Sequence, residues 1–133
     1  MSFTESCLAV AVVSTTMAIA APSLSRARES FLLQSAARHV AATMHAARVS
    51  AITRNRDCRM MVTAPISYAI ECQNASWMTI ENVTLPQSMT VTANARPKFH
   101  TRGNVSPTAT FRVCDRLRCL QVIVNVNGRV RIQ

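Results

Sequence analysis

Glycine is almost missing from this sequence: Gly103 and Gly128 are the only two in 133 residues. A glycine-rich loop that wraps phosphate in successive backbone N–H groups cannot be built from them, which removes the nucleotide-binding enzymes that depend on one. Aromatic residues reach only 5%, too few for a platform on which successive bases stack. The six acidic side chains are scattered, the three histidines lack ligand spacing, and no Ser-His-Asp or Cys-His set stands in a supporting motif. Neither catalysis nor a cofactor nor a bound metal is expected. Lysine is scarce as well: Lys98 is the single one among 15 cations.

What is present is aliphatic and basic. Hydrophobic residues make up 49% of the chain, mostly Ala, Val, Ile, Leu and Met, a composition suited to a long helix. A chain of this length holds one modest core plus an extended element. The formal charge is +9, unevenly placed: residues 96–133 carry 8 basic side chains against Asp115 alone. Because 14 of the cations are arginine, whose planar fork matches phosphate oxygens bidentately, a polyanion such as nucleic acid or anionic lipid is the first partner to test.

The five cysteines divide by position. Cys7 lies in the apolar N-terminal run, leaving Cys58, Cys72, Cys114 and Cys119, an even set able to form two disulfides in an oxidising compartment. Local pairing is the simplest arrangement, since Cys58 and Cys72 flank Pro65 while Cys114 and Cys119 flank Asp115-Arg116-Leu117-Arg118, so that each pair clamps a hairpin. A zinc site competes, but the two gaps do not match as zinc-ligand pairs do.

Between Glu5 and Arg26 there is no charge, so residues 6–25 are about long enough to cross ~30 Å of hydrocarbon as a helix. The segment is no standard signal peptide, because its start lacks basic residues and carries Glu5 instead. Ser6, Ser14, Thr15 and Thr16 within it suit close helix-to-helix packing. A carboxylate at the edge of an apolar helix calls for a partner. One is the free α-amino group of a neighbouring subunit, which would set axial register in a polymer; the plain alternative is a first-turn carboxylate favoured by the helix dipole. Residues 26–55 continue as an amphipathic helix, with Leu33, Ala36, Val40, Met44, Ala47 and Ala51 at steps of three and four. With a bend at Pro22 the whole helix would run ~80 Å. His39 and His45 on it read as surface or groove residues.

From residue 56 the pattern changes to short β segments at 59–63, 67–72, 77–83, 89–93, 108–114, 119–125 and 129–132, punctuated by Pro65, Pro86, Pro97, Pro107 and Asn127-Gly128. The expected fold class is α+β: a long N-terminal helix (1–25 apolar, 26–55 amphipathic) packed against a small antiparallel β-sheet domain (56–133). The last hairpin holds the most functional content. Asn127-Gly128 reads as a two-residue turn; Arg129 and Arg131, two apart on the following strand, would point to one face while Val130 and Ile132 turn to the core. Two guanidinium groups ~6–7 Å apart can each grip a phosphate. The opposing view is a solvated edge-strand face that blocks aggregation. Lys98, Arg102, Arg116 and Arg118 are auxiliary cations if their loops fold to the same side.

Several of these motifs carry a resemblance. Met1, Glu5 and Pro22, with Ala18-Ile19-Ala20-Ala21-Pro22-Ser23-Leu24, resemble the mature start of type IV pilins, minor pilins and type II secretion pseudopilins, which follows cleavage behind a glycine and methylation of the first residue; phenylalanine is commoner there than Met1. The helix end Ala46-Ala47-Arg48-Val49-Ser50-Ala51-Ile52-Thr53-Arg54-Asn55 and the run Lys98-Phe99-His100-Thr101-Arg102-Gly103 are similar to the FimT/GspH branch. Gly128-Arg129-Val130-Arg131 resembles the Gly-Arg-x-Arg signature of FimT. The resemblance implies a pilin-like fold, assembly with other pilin subunits through Met1, Glu5 and Pro22, and insertion in the inner membrane with the C-terminal domain periplasmic before export into a surface pilus. On the FimT side it further implies non-specific binding of the DNA phosphate backbone through Gly128, Arg129 and Arg131 during natural transformation. On the GspH side it implies a minor pseudopilin of type II secretion, or a structural minor pilin with no nucleic-acid role.

Overall fold

Without glycine before residue 103, and without proline between Pro22 and Pro65, nothing stops a helix once begun. In a computed structural model that describes residues 2–133, the side chains of residues 18–21 excepted, α1 spans Phe3–Thr53 and continues through Pro22. It ends on a left-handed residue: Asn55 has φ of 50°, its N–H donates to Ile52 O, and Arg56 N–H donates to Ala51 O. This is the paired closure in which glycine is usual and asparagine the common substitute. Two compact units make up the chain, Met1–Leu32 and Leu33–Gln133.

Within the first unit the large apolar side chains Leu8, Val10, Val12, Val13, Met17 and Leu24 are all exposed, and the helix is long and apolar enough to cross a membrane. The hydroxyls along it are satisfied by the helix itself: Ser14 donates to Ala11 O, Thr15 to Ala11 O and Val12 O, and Thr16 to Val12 O and Val13 O, at 2.9–3.0 Å. Polar groups closed on the backbone in this way are tolerable in hydrocarbon. Ser2 N–H donates to Glu5 Oε2 at 3.4 Å, half of a capping box, so within one subunit the Glu5 carboxylate closes the first turn.

In the second unit the expected helical stripe is the buried one. Leu33, Ala36, Val40, Met44, Ala47 and Ala51 are at most 6% exposed, together with Ala37 and Thr43. Alanine at three of those six positions keeps the helix surface low, so that sheet side chains such as Tyr68, Phe99 and Phe111 fill the core. Tyr68 brings its hydroxyl inside and finds His39 Nδ1 at 2.8 Å and Thr43 Oγ1 at 3.4 Å. His39 therefore has a structural partner.

The β region forms two antiparallel sheets. One has the order β3-β2-β1-β5-β6, from Cys58–Ala64 (β1), Ser67–Gln73 (β2), Trp77–Thr84 (β3), Lys98–Phe99 (β5) and Val105–Ser106 (β6). The other has the order β4-β7-β8-β9, from Thr90–Ala93 (β4), Ala109–Cys114 (β7), Cys119–Val124 (β8) and Val130–Ile132 (β9). β5 and β6 have no counterpart among the expected strands, because two residues are too short to show alternation. Met78 through Asn82 of β3 are exposed, since β3 is the sheet edge with a register shift opposite Ile70/Glu71.

Both local disulfides are present. Cys58 pairs with Cys72 across the open end of its hairpin, and Cys114 with Cys119 across the rung next to its turn, so no thiolate of these four is left for zinc. Beside the first, Arg59 Nε donates to Glu71 Oε2 at 2.7 Å and its guanidinium lies 4.1 Å from the centre of the Trp77 ring, tying β1, β2 and β3 together.

Where helix end meets sheet, the Asp57 carboxylate takes Lys98 Nζ at 3.1 Å and His100 Nδ1 at 3.2 Å. Partial burial pushes its pKa up, but the hydrogen bonds and charges of Lys98 and His100 outweigh that and hold it below its ordinary value of 3.8. A carboxylate depressed in the folded state stabilises at pH values above its unfolded pKa, and the contribution disappears as pH falls through the folded pKa. Asp57→Asn is thus expected to lose a few tenths to about 1 kcal/mol near pH 7. Denaturation curves of wild type and variant should converge only well below pH 4; a gap of constant size down to pH 2 would contradict the pairing.

Candidate nucleic-acid interface

The C-terminal hairpin begins from a sequence rule, that only a residue comfortable at positive φ can close a tight turn. Gly128 has φ of 73°, and among the described residues the only non-glycine at positive φ is Asn55, so Asn127 does not take the left-handed role expected of it. The loop is three residues long: Gly128 N–H donates to Asn125 O at 2.9 Å, and Asn125 N–H donates to Arg129 O at 3.1 Å. This is a tight turn followed by a glycine bulge. The Asn125 carbonyl is taken by Gly128, so Arg129 N–H turns to Asn125 Oδ1 at 2.8 Å.

Consequently Arg129 is not a strand residue, as expected, but the exit of the turn; β9 starts at Val130. Val130 lies opposite the buried Val124, and Arg131 opposite Ile123. Alternation then turns Val130 inward and its two arginine neighbours outward, and both arginines are exposed. Ile132, expected in the core, is 39% exposed because β9 is the sheet edge at the chain's end. Among the described residues no carboxylate forms an ion pair with Arg129 or Arg131.

The other expected cations fall in different places. Arg102 is exposed in the turn before Gly103, which has φ of 83° and donates its N–H to His100 O at 2.8 Å. That turn touches the hairpin: Gly103 O lies 2.6 Å from where a Cβ on Gly128 would stand, and Val105 N–H donates to Val126 O. Arg102 and Arg129 thus flank two abutting turns. Lys98 is drawn to Asp57. Arg116 and Arg118 sit at the tip of the β7–β8 hairpin, the opposite end of β8 from Gly128, roughly 17–20 Å away for a six-residue strand. In that tip Asp115 Oδ1 accepts the N–H groups of Leu117 and Arg118 at 2.7 Å, bonds that hold its pKa below the carboxylate norm.

One cation was missed. Arg112 on β7 pairs with Gln121 on β8, and Gln121 exchanges two backbone hydrogen bonds with Gln133 beyond β9. Arg112 is exposed on the outer face that Arg131 shares. Alternation in Thr110-Phe111-Arg112-Val113 pointed it outward; what was not legible is that β9 lies one strand further along the same sheet. The outer face therefore carries Arg112, Arg131 and Arg129, with Arg102 at one end and Arg116 and Arg118 at the other.

Met1 lies outside the described residues. Glu5 and Pro22 are exposed on α1.

Comparison with known proteins places this architecture. The family model described as type II transport protein GspH matches residues 36–128. Comparison with curated protein sequences finds no match. Among solved structures, the type IV minor pilin FimU of Pseudomonas aeruginosa is similar with a TM-score of 0.66 at 17% identity, over 79% of this chain and 90% of that one. The minor pseudopilin EpsH from the type 2 secretion system of Vibrio cholerae is similar with a TM-score of 0.67 at 13% identity, over 76% of this chain and 95% of that one. At such identities the likeness shows the fold, one long helix with antiparallel sheets. With the family model matching well over half of its length, this chain belongs to the GspH family and has the pilin-like fold of minor pilins and minor pseudopilins.

Proposed function

We propose that this chain is a minor type IV pilin of the FimT kind that binds DNA without sequence preference and supports DNA uptake in natural transformation. The observation that carries this reading is the outer face of the second sheet, where Arg129, Arg131 and Arg112 are exposed and free of carboxylate partners among the described residues. No helix of recognition type is presented there, so contact is with backbone phosphates. The apolar part of α1 holds the subunit in the inner membrane and then in the filament, where Glu5 sets register against a neighbour's α-amino group and other pilin subunits cover the exposed aliphatics. The two disulfides suit a periplasmic location for the C-terminal domain. The role is structural and adhesive, without catalysis.

A second reading has its own support in the family model and in EpsH: a minor pseudopilin of type II secretion, with the arginines a solvated face. Binding of random duplex DNA to the full chain in neutral-lipid nanodiscs separates the two. The DNA reading expects measurable affinity at 50 mM salt that falls by an order of magnitude or more by 200 mM, as several phosphate contacts require. Absence of binding at 50 mM would leave the pseudopilin reading standing.

A further inference from the structure

The two glycines of the chain close on the same side chain. A Cβ at Gly103 would stand 3.1 Å from Arg48 Nε and 3.3 Å from Nη2; one at Gly128 would stand 2.8 Å from Nε and 3.1 Å from Cδ. Arg48 belongs to α1, yet its side chain leaves the helix to lie beneath both turns. Its Nε is buried with no hydrogen-bond acceptor among the described residues, and no ion pair among them includes Arg48.

For stability alone this is a poor choice, since a buried donor left unpaired is destabilising relative to an apolar side chain of the same length. Shape accounts for it better. Guanidinium is flat, and unlike a lysine ammonium it is thin enough to lie beneath two closely packed backbone turns. The turns can descend onto it only because both carry glycine at the contact. Arg129 leaves the Gly128 turn at the next residue and Arg131 follows in β9, so whatever sets the height of Gly128 sets where both point.

We propose that Arg48 is the positioning residue of the basic turn: its guanidinium plane is the floor on which the Gly103 and Gly128 turns rest, aligning Arg102, Arg129 and Arg131 for phosphate. The function of this alignment rests on the DNA-binding reading above, whereas the placement rests on geometry and is tested separately.

With only two glycines, the full chain labelled with ¹⁵N-glycine in neutral-lipid nanodiscs gives two amide resonances. Arg48→Met keeps the stem and removes the plane; Arg48→Lys keeps the charge and removes the plane. Both variants are expected to move both resonances and to weaken binding of random duplex DNA several-fold. Neither should weaken it further when added to an Arg102→Ala/Arg129→Ala/Arg131→Ala triple variant, because residues acting through one contact are not additive. Resonances unmoved in both variants would overturn the floor. Wild-type DNA affinity in Arg48→Lys would show that charge matters and the plane does not. A further loss in the triple-variant background would make Arg48 a direct phosphate contact, which also overturns the proposal. If the wild type bound no DNA, the DNA reading would fail, while the glycine resonances still decide whether Arg48 sets the turns.

Discussion

Gly128→Ala is expected to lower the melting temperature of the chain by roughly 12–20 °C, corresponding to about 3 kcal/mol in a domain of this size. Two effects add. Alanine at a φ of 73° is strained by about 1–2 kcal/mol. Its Cβ would also stand 2.6 Å from Gly103 O and 2.8 Å from Arg48 Nε, and the first of these is a backbone atom in an abutting turn that cannot rotate away. Gly103→Ala is the matched comparison. It suffers the same strain, but its nearest atoms, Arg48 Nε and Ile52 Cδ1, both at 3.1 Å, belong to side chains and not to backbone, and a shift of a few tenths of an ångström relieves them. The expected order is wild type, then Gly103→Ala, then Gly128→Ala, read by thermal denaturation in detergent; equal losses, or a Gly128→Ala variant as stable as wild type, would contradict the packed-turn geometry.

Removing both basic side chains, in an Arg129→Ala/Arg131→Ala variant, is expected to weaken binding of random duplex DNA at 50 mM salt by roughly thirtyfold, about 1 kcal/mol for each exposed charge-assisted contact. Stability should change little, because both side chains are exposed and neither pairs with a carboxylate among the described residues. The loss should be the same for sequences of any composition, as contacts to phosphate carry no base information. Arg112→Ala tests the extent of the face: a smaller loss of the same kind is expected in a titration alongside the double variant, and none if binding stops at β9.

The parts of the molecule that were legible beforehand are those set by near-neighbour rules. The stripe from Leu33 to Ala51 follows from helical spacing, and each cysteine pair clamps its own hairpin. Most strands announced themselves by β-branched residues between prolines. What escaped depends on contacts between distant segments. β5 and β6 exist because Phe99 and Val105 pair with each other and Phe99 with Cys58, which two-residue strands cannot show by pattern. The turn at Asn127-Gly128 was placed correctly and typed wrongly, because the choice between a two-residue and a three-residue loop is decided by the register of β9 on β8. Arg48 sat in a motif singled out for its likeness to relatives, but nothing local connects it to Gly103 and Gly128. Arg112 was hidden for the same reason, its neighbourhood being made by β8 and β9.

The central claim is that Arg129 and Arg131 meet phosphate. It is tested most directly by titrating the full chain, wild type and Arg129→Ala/Arg131→Ala, with random duplex DNA between 50 and 200 mM salt in neutral-lipid nanodiscs, and comparing the slopes of log affinity against log salt. Each phosphate contact contributes about 0.9 to the slope, so the double variant should be shallower by roughly 1.8. Equal slopes, whatever the affinities, would mean that these arginines touch no phosphate and that the basic face of this subunit serves another end.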